Sequence, residues 1–188
     1  VLEQVGTWKS SGKGVAVATV ITTMMSSPRP VGSQLGVDET GAMVWSTVSV
    51  DLKTKTVYAT TGNNYTVVGK GSDAFHAIDL ESGKSQWVKQ VRENDIWTIF
   101  GENAGDPLAD TDFGANPILA QTGSTQLVAA GDKAGSFWAL KRDTGEVLWS
   151  RDKLSATHSP SNGGVLMNGA FDGKNFYVVS NQPPGAAV

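Results

Sequence analysis

The feature that most constrains this fold is a repeat. Residues 74–87 (AFHAIDLESGKSQW) and 136–149 (SFWALKRDTGEVLW) align without a gap, matching Phe75 with Phe137, Ala77 with Ala139, Ile78 with Leu140, Gly83 with Gly145 and Trp87 with Trp149. The offset is constant (149 − 87 = 62). Each copy has a short β-prone run, a turn ending in glycine and a second run ending in tryptophan. That pattern reads as a β-hairpin in which glycine supplies the positive φ of the turn. The same hairpin occurring twice implies a supersecondary unit used more than once.

A pair of strand-like runs precedes each hairpin. Residues 43–50 and 56–60 (MVWSTVSV, TVYAT) stand before the first, and residues 116–120 and 126–130 (NPILA, QLVAA) before the second. A third pair begins at residues 165–171 and 175–180 (VLMNGAF, NFYVVS), with Asp51 and Asp172 in the same place after the leading run. Four short strands in a unit of roughly 40–50 residues define a propeller blade. The expected architecture is therefore all-β, a partial β-propeller of four-stranded antiparallel blades forming one incomplete domain over residues 1–188. Its predicted parts are a blade remnant at 1–40, a blade at 41–90, a connecting loop at 91–112, a blade at 113–152 and a partial blade at 163–188. Propellers close with at least about four blades, so the chain is expected to be an arc, too short to be a complete working enzyme. Its unpaired edges would recruit another strand and favour a homodimer.

Composition narrows the function. A net charge of −3 gives no dense basic surface for phosphates, which excludes nucleic acid as a partner. With no cysteine, disulfides and thiolate metal sites are excluded, and the compartment is left open. The apolar stretch 14–25 (GVAVATVITTMM) is too short to span a bilayer as a helix, and its Val, Ile and Thr content favours a strand. The chain begins at Val1 rather than Met, which points to a processed or cut start.

The hairpin pattern, AIDLESGKSQW at 77–87 and ALKRDTGEVLW at 139–149, resembles the repeat of enzymes that use pyrroloquinoline quinone (PQQ). Similar repeats also occur in propellers without a cofactor. The segments between the hairpins are more specific. Residues 41–51 (GAMVWSTVSVD) with 58–63 (YATTGN), residues 111–119 (TDFGANPIL), 131–140 (GDKAGSFWAL) and 162–178 (NGGVLMNGAFDGKNFYV) follow one another in the order of the quinoprotein alcohol dehydrogenases, most closely their polyvinyl alcohol dehydrogenase branch. The resemblance implies a PQQ- and calcium-dependent dehydrogenase that oxidises secondary alcohols, possibly polyvinyl alcohol, by hydride transfer to the quinone. It further implies a cytochrome as electron acceptor and a periplasmic or secreted location. The alternative is a non-catalytic PQQ-repeat propeller acting as a scaffold for protein partners.

By the same resemblance, Trp45 matches the tryptophan beneath the quinone ring and Lys133 the basic residue at the quinone oxygens. Asn63, in Thr61-Gly62-Asn63, matches an asparagine that ligates calcium through its amide oxygen, a donor suited to a hard cation. The catalytic base is not assigned. Related enzymes carry an aspartate after the tryptophan of a D-x-W-D motif, whereas this chain reads Asp95-Ile96-Trp97-Thr98, and a threonine hydroxyl cannot take a proton from an alcohol at neutral pH. Asp95 and Asp112 are the candidates. Other patterns dissolve on inspection. Asp143-Thr144-Gly145, the aspartic-protease triplet, occupies the hairpin turn where the sister copy reads Glu81-Ser82-Gly83, and His76 and His158 lack partners at metal-binding spacing.

Overall fold

A computed structural model describes residues 6–7, 9–11, 15–19, 34–38, 44–65, 69–98, 101, 109–155 and 163–181. The chain divides into two compact units, Val1–Gly41 and Ala42–Val188. In the first, β1 (Val15–Thr19) pairs antiparallel with β2 (Gln34–Asp38). Strand β1 falls inside the apolar stretch 14–25, and the rest of that stretch lies outside the described residues. Among the described residues no helix is long and apolar enough to cross a membrane.

The second unit carries two four-stranded antiparallel sheets. The first runs in the order β3 (Ser49–Asp51), β4 (Thr56–Thr60), β5 (Ala74–Asp79), β6 (Ser85–Gln90), and the second in the order β7 (Ile118–Thr122), β8 (Thr125–Gly131), β9 (Phe137–Lys141), β10 (Val147–Arg151). A two-stranded piece follows, β11 (Ala170–Phe171) with β12 (Phe176–Tyr177). These are two propeller blades and the beginning of a third.

The repeat is exact in backbone detail. Gly83 and Gly145 take φ of 70° and 73°, and their N–H groups close the turns on the carbonyls of Asp79 and Lys141, both at 2.9 Å. Each hairpin carries a bulge at the same place. Ala77 pairs with Trp87 while Ile78 pairs with Ser85, leaving Gln86 over; Ala139 pairs with Trp149 while Leu140 pairs with Val147, leaving Leu148 over. Asp51 and Asp172 also act alike. Each carboxylate accepts the N–H groups two and three residues on, those of Lys53 and Thr54 and those of Lys174 and Asn175, which shapes the turn after the leading strand.

The core lies between blades. Tyr58, Phe75 and Ala77 of the first sheet meet Val128, Ala130 and Leu140 of the second around Phe113. Ala129 points the other way, into a cluster with Phe137 and Ala139 that Trp149 and Phe176 complete. Alternate residues of β8 thus feed two cores, which is why its sequence reads as an unbroken apolar run. The hairpin tryptophans act as the repeat predicts. Trp87 lies across Gly145 of the next blade and donates from Nε1 to the Arg142 carbonyl (3.2 Å), which also accepts from the Tyr58 hydroxyl (3.0 Å). Trp149 meets Phe176 of the third blade edge-on, with ring centres 5.9 Å apart.

Four strands differ from expectation. Of residues 43–50 only Ser49 and Val50 join β3, because residues 44–48 leave the sheet and carry Trp45 onto Gly62 and Gly114. Strand β7 begins after Pro117, which has no N–H to give a ladder. The strands predicted at 165–171 and 175–180 shorten to two residues each.

Candidate functional site

Four segments converge at one end of the two blades: residues 61–65 after β4, residues 94–98 after β6, residues 109–114 before β7, and residues 132–136 between β8 and β9; residues 44–48, before β3, lay Trp45 against them. Neighbouring blade ends are stitched through backbone bonds. The Phe113 N–H donates to the Thr61 carbonyl (3.4 Å), that of Lys133 to Asp112 (2.9 Å), that of Asn64 to Asp95 (3.1 Å) and that of Trp97 to Asn64 (3.0 Å). Phe113 anchors the third segment, buried edge-on against Phe75 with ring centres 5.0 Å apart.

This arrangement brings all five residues singled out in the sequence into one cluster. Lys133 is buried, with Nζ 2.5 Å from Asp110 Oδ1, 3.5 Å from Asp112 Oδ2, and 5.7 Å from the centre of the Trp97 ring. Asp112 uses its other oxygen, Oδ1, to accept the Asn63 N–H (2.5 Å). Both amide protons of Asn63 go to carbonyls, those of Asn64 (2.7 Å) and Trp97 (2.8 Å), which fixes the amide's orientation and leaves Oδ1 as its acceptor. Trp45 is 46% exposed. Its indole lies across two bare α-carbons, and a Cβ on Gly114 would stand 2.6 Å from Cη2, one on Gly62 3.2 Å from Nε1. A Cβ on Gly62 would also collide with the Asp112 carboxylate. Glycine at both positions is therefore what lets the indole lie beside the Asp112–Asn63 pair.

Asp95 has a different job from Asp112. Its Oδ1 accepts the Asp110 N–H (2.9 Å), and its Oδ2 accepts both the N–H and the hydroxyl of Thr111 (each 2.7 Å). With both oxygens committed, Asp95 clamps the 110–111 backbone. Thr98, in the place of the expected aspartate, accepts the Gly101 N–H at its carbonyl (2.9 Å). Among the described residues no group of three or more His, Cys, Asp or Glu side chains is arranged to hold a metal. His158 lies outside the described residues. His76 is packed within β5, where its Nε2 meets the Gly71 carbonyl at 3.0 Å.

Two carboxylates that sequence reasoning missed stand in the same cluster. Asp110 is 1% exposed and Asp73 is 0% exposed. Burial, with the charges of Asp95 and Asp112 adding to it, pushes the Asp73 carboxyl up to about 8. Thr111 Oγ1 lies 2.7 Å from Asp95 Oδ2 and 3.3 Å from Asp73 Oδ1, and its single proton can serve only one of the two carboxylates at a time. Burial also raises Asp110, to about 7, against the opposing pull of Lys133. A faint signal was available for Asp73 alone, which stands 62 residues before Gly135 in the repeat; the structure gives both positions positive φ (46° and 80°).

Comparisons with known proteins bear on the family. A family model described as the PQQ glucose/ethanol/alcohol dehydrogenase beta-propeller domain matches residues 26–167. A polyvinylalcohol dehydrogenase from a Pseudomonas species is 36% identical over 146 residues, 73% of this chain and 22% of that protein. A second, from a Sphingopyxis species, is 31% identical over 176 residues, 85% of this chain and 26% of that protein. The chain therefore spans about a quarter of the length of these relatives. The quinohemoprotein alcohol dehydrogenase of Comamonas testosteroni overlays 60% of this chain and 17% of its own at a TM-score of 0.46 and 21% identity, too loosely to add to the assignment. On the family match and the identities together, the chain belongs to the glucose/ethanol/alcohol dehydrogenase β-propeller family of PQQ proteins.

Proposed function

We propose that the end of the blades bearing Trp45, Asn63, Asp112 and Lys133 is part of the cofactor cradle of a PQQ-dependent dehydrogenase acting on secondary alcohols, with polyvinyl alcohol as one substrate. The observation that carries this reading is the placement of Trp45. A half-exposed indole laid over Gly62 and Gly114, beside a buried lysine and an oriented amide oxygen, offers a planar anionic ring a stacking surface, a cation and a polar edge together. The donor set fits the group. When bound, PQQ supplies a two-electron acceptor for hydride.

The chain's own residues would do the rest. Trp45 stacks against the ring and keeps water from that face. Lys133 donates N–H to anionic oxygens, where a buried cation stabilises negative charge far better than it would in water. Asn63 offers Oδ1 as one ligand to calcium, the remaining ligands coming from other groups. Asp112 would take an alcohol proton at Oδ2, which faces Lys133, while Oδ1 stays bound to the Asn63 N–H. Asp95 acts as a positioning residue. A cytochrome acceptor and a periplasmic or extracellular location complete the proposal for the whole protein.

Titrating the chain with PQQ in the presence of calcium tests it. Saturable quenching of tryptophan fluorescence is expected, with Trp45→Ala weakening binding about tenfold, equivalent to ~1.4 kcal/mol. Absence of saturable binding would remove the reading in favour of a scaffold propeller. Equal affinity in the Trp45→Ala protein would place the ring elsewhere.

A further inference from the structure

Lys133 is already occupied. Its ammonium lies 2.5 Å from Asp110 Oδ1 and 3.5 Å from Asp112 Oδ2. The two carboxylates differ in what else supports them. Asp112 keeps a backbone N–H donor on Oδ1 whatever Lys133 does. Apart from the Lys133 ammonium, neither oxygen of Asp110 has a hydrogen-bond donor among the described residues, so the lysine is its only support there. The Asp110 backbone is pinned as well: its N–H is held by Asp95, and its φ of 62° lies in the left-handed region. The carboxylate cannot readily swing to solvent to follow the lysine.

Resting on the cofactor reading above, we propose that Asp110 is a positioning residue that serves as the counter-anion of Lys133 in the free protein, and that binding of the anionic quinone is coupled to uptake of one proton by Asp110. The physical chain is short. An anionic ligand draws the ammonium toward itself. Asp110 is then a buried carboxylate with neither a cation nor a hydrogen-bond donor, a state far costlier than its neutral acid. The bookkeeping is that of acid and base alone: a proton from solvent forms an O–H bond on Asp110, and no electrons move.

The other ionisable groups facing Asp110 push the same way. Asp112 stands two residues on, Asp95 holds its N–H, Asp73 lies behind Thr111, and Tyr65 feels the charges of both Asp110 and Asp112. All are acidic groups that become negative as they ionise, and Lys133 is the cation that opposes them. The sign of the pH dependence follows. Burial already holds Asp110 near 7 in the free protein. Below that value Asp110 carries its proton before ligand arrives, and little is taken up. Above it Asp110 is ionised when free and protonated when bound, so uptake approaches one and affinity falls about tenfold per pH unit.

Isothermal titration of the chain with PQQ and calcium, in buffers of different ionisation enthalpy, reads the proton count directly. Near pH 8.5 the expected count is close to one per PQQ bound, falling toward zero by pH 5.5. Asp110→Asn, close in shape and unable to ionise, should remove the uptake and bind about tenfold or more tighter than wild type at pH 8.5. Binding with no proton uptake at either pH overturns the role of Asp110 while leaving the cofactor reading intact. Absence of any binding overturns that reading itself. Because the wild-type count needs no variant, the test holds even if the substituted chain folds poorly.

Discussion

Replacing Lys133 with methionine should destabilise the chain by about 3–5 kcal/mol, the cost of removing one partner of a buried ion pair, and should abolish PQQ binding. The lysine is the cation within reach of two buried carboxylates, Asp110 and Asp112, and methionine would leave both without it. The loss should depend on pH. Near pH 5 Asp110 carries its proton with or without the lysine, whereas at pH 8 the variant must take up a proton that the wild type does not need, so urea unfolding should show the larger deficit at the higher pH. Adding Asp110→Asn to the lysine variant should restore much of the stability and none of the binding. A single variant as stable as wild type at pH 8 would mean that the pair is solvated and that Lys133 is no part of a buried site.

Gly164→Ala should be as damaging, for a steric reason. Gly164 has φ of 97°, and a Cβ there would overlap the backbone of Lys133 at Cα, C and O. The neighbouring bonds fasten this contact: the Val165 N–H donates to Asp132, and the Asn181 N–H to Gly164, both at 2.8 Å. Alanine would have to part the second and third blades where they carry Lys133. The expected cost is more than about 3 kcal/mol, made up of backbone strain plus overlap that no rotamer relieves. Gly83 provides the control. Its φ is 70°, yet a Cβ there would meet nothing within 4 Å. Gly83→Ala should therefore cost only about 1 kcal/mol, from the backbone alone. Similar losses at the two positions, by chemical denaturation, would contradict the close blade-to-blade contact.

The hairpins were readable in the sequence because a turn and a bulge are local. Gly83 and Gly145 need positive φ, and Trp87 and Trp149 stand mid-strand opposite Ala77 and Ala139, so the 62-residue offset survives folding. The polar cluster was readable only in part. Trp45, Asn63 and Lys133 stood out through the family motifs, whereas Asp73 and Asp110 sit in loops, where a lone aspartate ordinarily faces water. Their burial arises from the stacking of four segments far apart in sequence, which no single window records. The same stacking separates the two candidate bases. Asp95 and Asp112 are both loop carboxylates in the sequence, but the fold turns Asp95 onto the backbone of residues 110–111 and leaves Asp112 beside Lys133. The overlong strand at residues 43–50 was misread because its pattern is β-prone throughout, and its exit from the sheet depends on Gly62 and Gly114, which lie elsewhere in the chain.

If the loops at one end of two equivalent blades form a single binding surface, ligand should protect them together. Amide hydrogen exchange of the chain with and without PQQ and calcium tests it residue by residue. Protection should rise at Asn63, Asn64, Asp110, Thr111 and Lys133, whose N–H groups knit the cluster, and stay unchanged at Gly83 and Gly145 in the hairpin turns at the opposite end. Protection that appears at the hairpin turns instead, or at neither end under saturating ligand, would mean that these loops form no such surface.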